Sequence, residues 1–537
     1  MYKKYFSEHI YYFIIFAILS FTYIVNGYAS LATNDDWALR SMLVSEGIYN
    51  TFIMSYPLSY LMSHLYDFFP LFQWYSILLT LIMSLNFYLW SRYIENNNSY
   101  IQKVILFIFA LLWLTFLWFN MSITILTVTT MVSAVGLIRK SLLLSFTLIF
   151  LASLLRTDIM LILVPYYLVS YVILRNSLRP NKKELFTLVV LITLIVSSLF
   201  IQKQDRFYTD WLAFNKVRSA IVDMAVMSVE KDFFTQEEWF CVVIGWWQDS
   251  ELLATERILA ATPTLADIIQ KNLQKIHLVD FIKNYKFKHW LWLLLLGSLL
   301  VIIFHRKDRK ALAIPLLVIG VALLLITRDV ERVTVPLIIL WAYVIIESLK
   351  SHRIIVSIFL FLFTYLFYYY ASSQFGYRYF KENMTLQKEA RQLINKSNKF
   401  CEISVMYPTS FTKEVNTVFE ANYLYHENSW LQMNDKEILP GGWLSRHKFF
   451  YLTHHLSDAY TKRTYHTYYE YLIDDKTAFF GSKKIVKSKN YDILLQAYDK
   501  RYLKERPECK HKTFIVKKSK HFAISQIRVD CNSKNKK

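Results

Sequence analysis

The chain is poor in charge, in glycine and in sequence repetition. Only 19% of its 537 residues are charged and only 10 are glycine. No internal repeat, low-complexity linker or pair of matching halves is visible, and the interiors of the apolar segments are free of charge. Secondary transporters commonly show charged or Gly/Pro-broken helices in two related halves, so these absences argue against a flippase or transporter. No small-residue cleavage site follows the first apolar run, which is therefore expected to stay as a helix rather than be removed as a signal peptide. No set of residues has metal-ligand spacing, since His454-His455 stand alone, and neither metal nor other cofactor is expected.

What the chain does have is apolar surface. It is 55% hydrophobic and 17% aromatic, with a mean hydropathy of +0.27. Apolar runs near the roughly 20 residues that a bilayer requires recur along it, which points to an all-α polytopic membrane protein. The formal net charge of +20 lies in short Lys/Arg clusters between those runs and in the last third. The first placement is that of topology signals, not of a nucleic-acid surface.

Lys3 and Lys4 put the N-terminus inside. A first helix over 10–31 then carries Asp35 and Asp36 to the outer face, and 37–50 reads as an amphipathic interfacial helix. The segment 52–70 is apolar but broken by Pro57, His64 and Asp67. If it spanned, Arg92, Lys103, Arg139, Lys140 and the cluster Arg175, Arg179, Lys182 and Lys183 would face outward. An interfacial or re-entrant course puts them inside and is expected. Further spans follow at 74–90, 104–119, 123–138, 142–155, 159–174, 185–201, 290–304, 311–326, 333–346 and 354–370, about eleven in all.

The domain plan is thus a transmembrane part over 1–371, with external loops at 32–73 and 203–288, and an extracytoplasmic domain over 372–537. That last domain is expected to be small and α/β or α+β. Cys241, Cys401, Cys509 and Cys531 all fall outside, where disulfides form; Cys509–Cys531 is the easiest pair, and unpaired thiols are the alternative.

Charged residues at helix ends gather on the outer side: Asp35 and Asp36, Arg156 and Asp158, then Arg328, Asp329, Glu331 and Arg332. Charges at such places often merely snorkel to water. Three external turns holding acids and arginines nonetheless run against the positive-inside tendency. Transfer of a sugar from a polyprenyl-phosphate donor would use such a set. A carboxylate removes the acceptor's proton, and guanidinium groups hold the leaving phosphate bidentately. Trp239, Trp246 and Trp247 are either sugar-stacking platforms or interfacial anchors.

Asn34-Asp35-Asp36, then Ser45-Glu46-Gly47-Ile48-Tyr49, Leu65-Tyr66 and Trp74-Tyr75, resembles the first external loop of a family of uncharacterised bacterial polytopic proteins. Glu46, inserted between the Ser and the Gly, departs from that pattern. The stretch from Trp211 to Asp223 is similar to the same family's large-loop signature. The layout also resembles the GT-C superfamily of membrane glycosyltransferases. That resemblance implies Asp36 or Asp35 as base, Arg328 and Arg332 at the donor phosphate, and Arg156 and Asp158 as an Arg-x-acid turn. Asn215 and Arg218 would belong to a lid or acceptor site. The implied partners are a polyprenyl-phosphate-linked sugar, a cell-envelope glycan or lipid acceptor and membrane lipids, in a bacterial inner membrane. A polysaccharide polymerase or ligase is the other enzymatic reading.

Overall fold

The computed structural model describes residues 50–205, 288–374 and 467–531, short gaps apart. It also describes Tyr12, 14–23, Asp36, Leu39, Arg40, Leu43, scattered positions within 209–270 and 385–396, and strands at 402–405, 432–433 and 436–439.

Helix α1 (Ile14–Tyr23) is the described part of the first apolar run. Then come α2 (Tyr56–Phe68), α3 (Trp74–Glu95), α4 (Tyr100–Phe119), α5 (Ile123–Leu137), α6 (Leu142–Leu155), α7 (Thr157–Leu174) and α8 (Lys182–Gln204). After the long loop follow α9 (Lys288–Phe304), α10 (Arg309–Thr327), α11 (Glu331–Ser348) and α12 (Arg353–Gln374). Every apolar segment expected from Trp74 onward is thus a helix.

The chain is a helical membrane protein, and the lengths of its described helices bear out part of the expected set of crossings. Among the described residues, 4 helices are long and apolar enough to cross: α3, α4, and the apolar parts of α8 and α12. Others are shorter, such as α5 with 15 residues and α6 with 14. Polar residues trim them: Ser122 caps the start of α5, and a turn at Arg139 and Lys140 follows its end.

Helix α5 is the axis, packed by α3, α6, α7 and α11 and buried on every side from Ile123 to Val135. A helix without a lipid or water face must satisfy its own polar side chains. Thr127, Thr129 and Thr130 do so by donating to carbonyls one turn back at 2.7–2.8 Å.

Helices α5 and α11 run parallel, because Tyr343 reaches Gly136 and Glu347 pairs with Arg139 at 2.7 Å near both C-termini. This fixes a basic end. Glu347 there also takes Tyr93 and Lys350, Arg139 donates to the Leu174 carbonyl, and Gln102 donates to that of Arg353. The cations expected on one side, among them Arg92, Arg139, Lys140, Lys350 and Arg353, do share one end.

Helix α2 does not traverse the bundle. At its start the Ser55 N–H donates to the Leu154 carbonyl and Gln202 donates to that of Met54, at the C-termini of α6 and α8. At its far end Tyr66 accepts from the Tyr75 N–H, in the first turn of α3. All three contacts lie at the end opposite the basic one, so α2 lies across that rim, as the charge pattern required. Its outward residues Tyr60, Leu61 and Phe68 are exposed, as on an interfacial helix.

The C-terminal part is α+β. Strands β1 (Glu402–Val405), β2 (Gln432–Met433), β3 (Lys436–Leu439), β4 (Thr477–Ser482), β5 (Cys509–Lys518) and β6 (Phe522–Cys531) form one mixed sheet in the order β2-β3-β1-β4-β6-β5. Helices α13 (Tyr468–Ile473) and α14 (Lys489–Tyr502) accompany it. Cys509 and Cys531 face each other in the β5–β6 register and form a disulfide. Cys241 is buried, and Cys401 lies outside the described residues.

Candidate active site

The first turn of α5 is where distant parts of the chain meet. Helix N-termini expose backbone N–H groups that no intrahelical carbonyl can satisfy. Ser122 takes one of them, from Thr124, at 3.2 Å. The Ile123 N–H instead donates to Oδ1 of Asp36 at 2.8 Å, and the Tyr75 hydroxyl donates to the same oxygen at 2.8 Å. Asp36 is 1% exposed. An anion at this place is stabilised by the helix dipole as well as by its two donors.

Asp36, Leu39, Arg40 and Leu43 are helical and buried, and the spacing 36, 39, 40, 43 is one helix face. The segment expected to float at the interface therefore turns a face inward, with a carboxylate and a guanidinium on it. Arg40 donates to Gln73 and lies in electrostatic reach of Tyr66 and Tyr75. Burial lowers its pKa, and the two tyrosines partly offset that effect.

The second contribution comes from the joint between α6 and α7. Arg156 is the single extended residue between them. Its side chain, 12% exposed, donates to Thr124 in the first turn of α5. Its other nitrogens form a fork on Asp158, at 3.0 Å to Oδ1 and 3.2 Å to Oδ2. Tyr75 lies within electrostatic reach of Arg156 as well as of Asp36. Asp36 and Arg156 thus share one helix turn, the one through the Ile123 amide and the other through Thr124.

Arg332 lies in the first turn of α11, which runs parallel to α5, so it belongs to the same rim. Asp35, Asn215, Arg218 and Arg328 lie outside the described residues, as do Trp239, Trp246, Trp247 and His454-His455. Among the described residues no group of three or more His, Cys, Asp or Glu could hold a metal ion. A cavity of about 330 Å³ is found at the basic end instead, away from Asp36.

Three residues around Asp36 carried no functional role in the sequence. Tyr66 and Tyr75 belonged to the Leu-Tyr and Trp-Tyr motif pairs; the Tyr75 hydroxyl donates to Asp36, and the Tyr75 backbone N–H donates to the Tyr66 hydroxyl. Arg40 gave no signal beyond being a charged residue four positions after Asp36. Comparison of the chain with protein-family models, with characterised proteins and with solved structures finds no match.

Proposed function

We propose that the chain is a membrane glycosyltransferase of GT-C type, moving a sugar from a polyprenyl-phosphate donor to a cell-envelope glycan or lipid. The observation that supports this reading best is the meeting of Asp36 and Arg156 on the first turn of α5. A carboxylate for the acceptor and a guanidinium for a phosphate are what such a transfer requires.

In this reaction the acceptor hydroxyl gives its proton to a carboxylate and its oxygen bonds to the anomeric carbon. The bond from that carbon to the phosphate oxygen breaks, and polyprenyl phosphate leaves with the electron pair. The aspartate pair divides the work. Asp36, buried and twice hydrogen-bonded on Oδ1, holds the first loop on the helix. Asp35 takes the proton. Arg156, oriented by Asp158, and Arg332 with Arg328 stabilise the leaving phosphate. Asn215 and Arg218 belong to the acceptor side.

The same proposal places the N-terminus inside, the rim that carries Asp36 outside a bacterial inner membrane, and about eleven crossings in the chain. The Cys509–Cys531 disulfide favours an oxidising compartment for the C-terminal domain.

The test is a deletion strain complemented with Asp35→Asn, Asp36→Asn and the double variant. Loss of one side-branch sugar from the surface glycan, restored by the wild-type chain only, supports the proposal. Loss of the whole polymer would indicate a polymerase or ligase. Full activity of the double variant would end the assignment.

A further inference from the structure

The cavity at the basic end has a chemistry of its own. Its volume of about 330 Å³ lies between α3, α4, α5, α11 and α12. Its wall is apolar, including Leu106, Phe109, Val132, Ile339 and Phe363, and its mouth carries Arg92 and Lys140. At roughly 30 Å³ per water-sized group, it has room for about ten methylene-sized groups, one stretch of hydrocarbon chain.

The two cations at the mouth are the unusual part. Glu347, the nearby carboxylate, already holds Arg139, Lys350 and Tyr93. Among the described residues, Arg92 and Lys140 form no ion pair; Arg92 only lies over the Tyr88 ring. Burial lowers the pKa of Lys140, and repulsion from Lys350 and Arg92 adds to that. A cluster of cations against an apolar slot at the membrane surface is complementary to an amphiphile with an anionic head. Helix α5, about 22 Å long at 1.5 Å per residue, separates this place from Asp36. The cavity is therefore distinct from the candidate active site.

We propose that this cavity binds an anionic phospholipid of the surrounding bilayer, with one acyl chain between α4 and α5 and its phosphate between Arg92 and Lys140. The second chain stays in the bilayer. A phospholipid is favoured over a free anion because the slot is lined by hydrocarbon, and over a neutral lipid because Arg92 and Lys140 have no acidic partner among the described residues. The inference stands apart from the glycosyltransferase proposal.

The experiment uses the full chain, reconstituted in phosphatidylcholine vesicles containing a minority of phosphatidylglycerol, then extracted in mild detergent. Lipid retained by the protein is measured by mass spectrometry. Wild type is expected to keep about one phosphatidylglycerol per chain in preference to phosphatidylcholine. Arg92→Gln/Lys140→Gln is expected to retain it at least about tenfold more weakly, since two charge-assisted contacts are lost. Gly136→Leu is expected to expel it by filling the slot, because a Cβ there meets only Tyr343, at 3.7 Å, and is tolerated. Lys103→Gln/Lys182→Gln, at the same end but off the cavity, is expected to behave as wild type. Equal loss in that control would show mere surface attraction and overturn the proposal. So would retention unchanged in Gly136→Leu, or retention of an added isoprenyl phosphate in place of phosphatidylglycerol.

Discussion

The carboxylate of Asp36 lies 2.8 Å from the backbone nitrogen of Ile123, although 87 positions separate the two in sequence. This one bond ties the first loop to the central helix. It also means that the most conspicuous acid of the chain is part of the fold, whatever chemistry it joins.

Asp36→Asn should keep an acceptor for both donors but lose the charge at the helix start, at a cost of about 0.5–2 kcal/mol. Asp36→Leu should cost more, about 1–3 kcal/mol for each donor left without a partner. Thermal unfolding in detergent reads both. Equal melting temperatures for the two variants would contradict the hydrogen-bonded seat.

Arg156→Lys separates charge from geometry. Asp158 is half exposed, so the ion pair itself contributes no more than about 1 kcal/mol, and stability should hardly change. Lysine cannot reproduce the fork on Asp158 together with the bond to Thr124. Under the proposed function, sugar transfer should fall about tenfold or more in a lipid-linked donor assay while the protein melts as before.

Glu347→Gln tests the basic end. The Glu347 side chain is 4% exposed and holds two cations and a tyrosine. Because Arg139 and Lys350 are each a third or more exposed, the cost should be about 1–3 kcal/mol rather than that of a fully buried pair. Added salt should recover part of the loss in melting temperature.

In the C-terminal domain, the buried His511 donates to Asp499 at 2.7 Å and accepts from the Tyr469 hydroxyl at 2.8 Å. Burial pulls its pKa below the ordinary 6.5, against the pull of Asp499. The unfolded chain therefore takes up a proton near pH 6.5 while the folded domain does so only at lower pH. Stability should hold above that pH and fall as the pH drops below it. Hydrogen exchange of the β5–β6 amides across that range should show the slope, and His511→Phe should flatten it.

The helices were legible because each is an apolar run bounded by polar residues, and charge placement alone settled the course of α2. That Asp36 and Arg156 share a side was legible from charge placement; that both meet the first turn of α5 was not. Tyr75 and Arg40 were not legible as partners. An aromatic at a helix start reads as an interfacial anchor, and an arginine four residues from an aspartate reads as a surface charge. The Ile123 amide was hidden for another reason: which N–H a helix leaves open depends on where its cap falls. The number of crossings cannot be read from the runs alone, because a central helix such as α5 is enclosed by protein and can be short.

The flat course of α2 has a consequence of parity. Among the described residues, the helices that run from one end to the other between Asp36 and Arg156 are α3, α4, α5 and α6, and an even set of reversals returns the chain to the face it left. One more full crossing anywhere between residues 36 and 156 would send the acid and the arginine to opposite ends. Insertions there should be tolerated only in pairs of helices, or in loops.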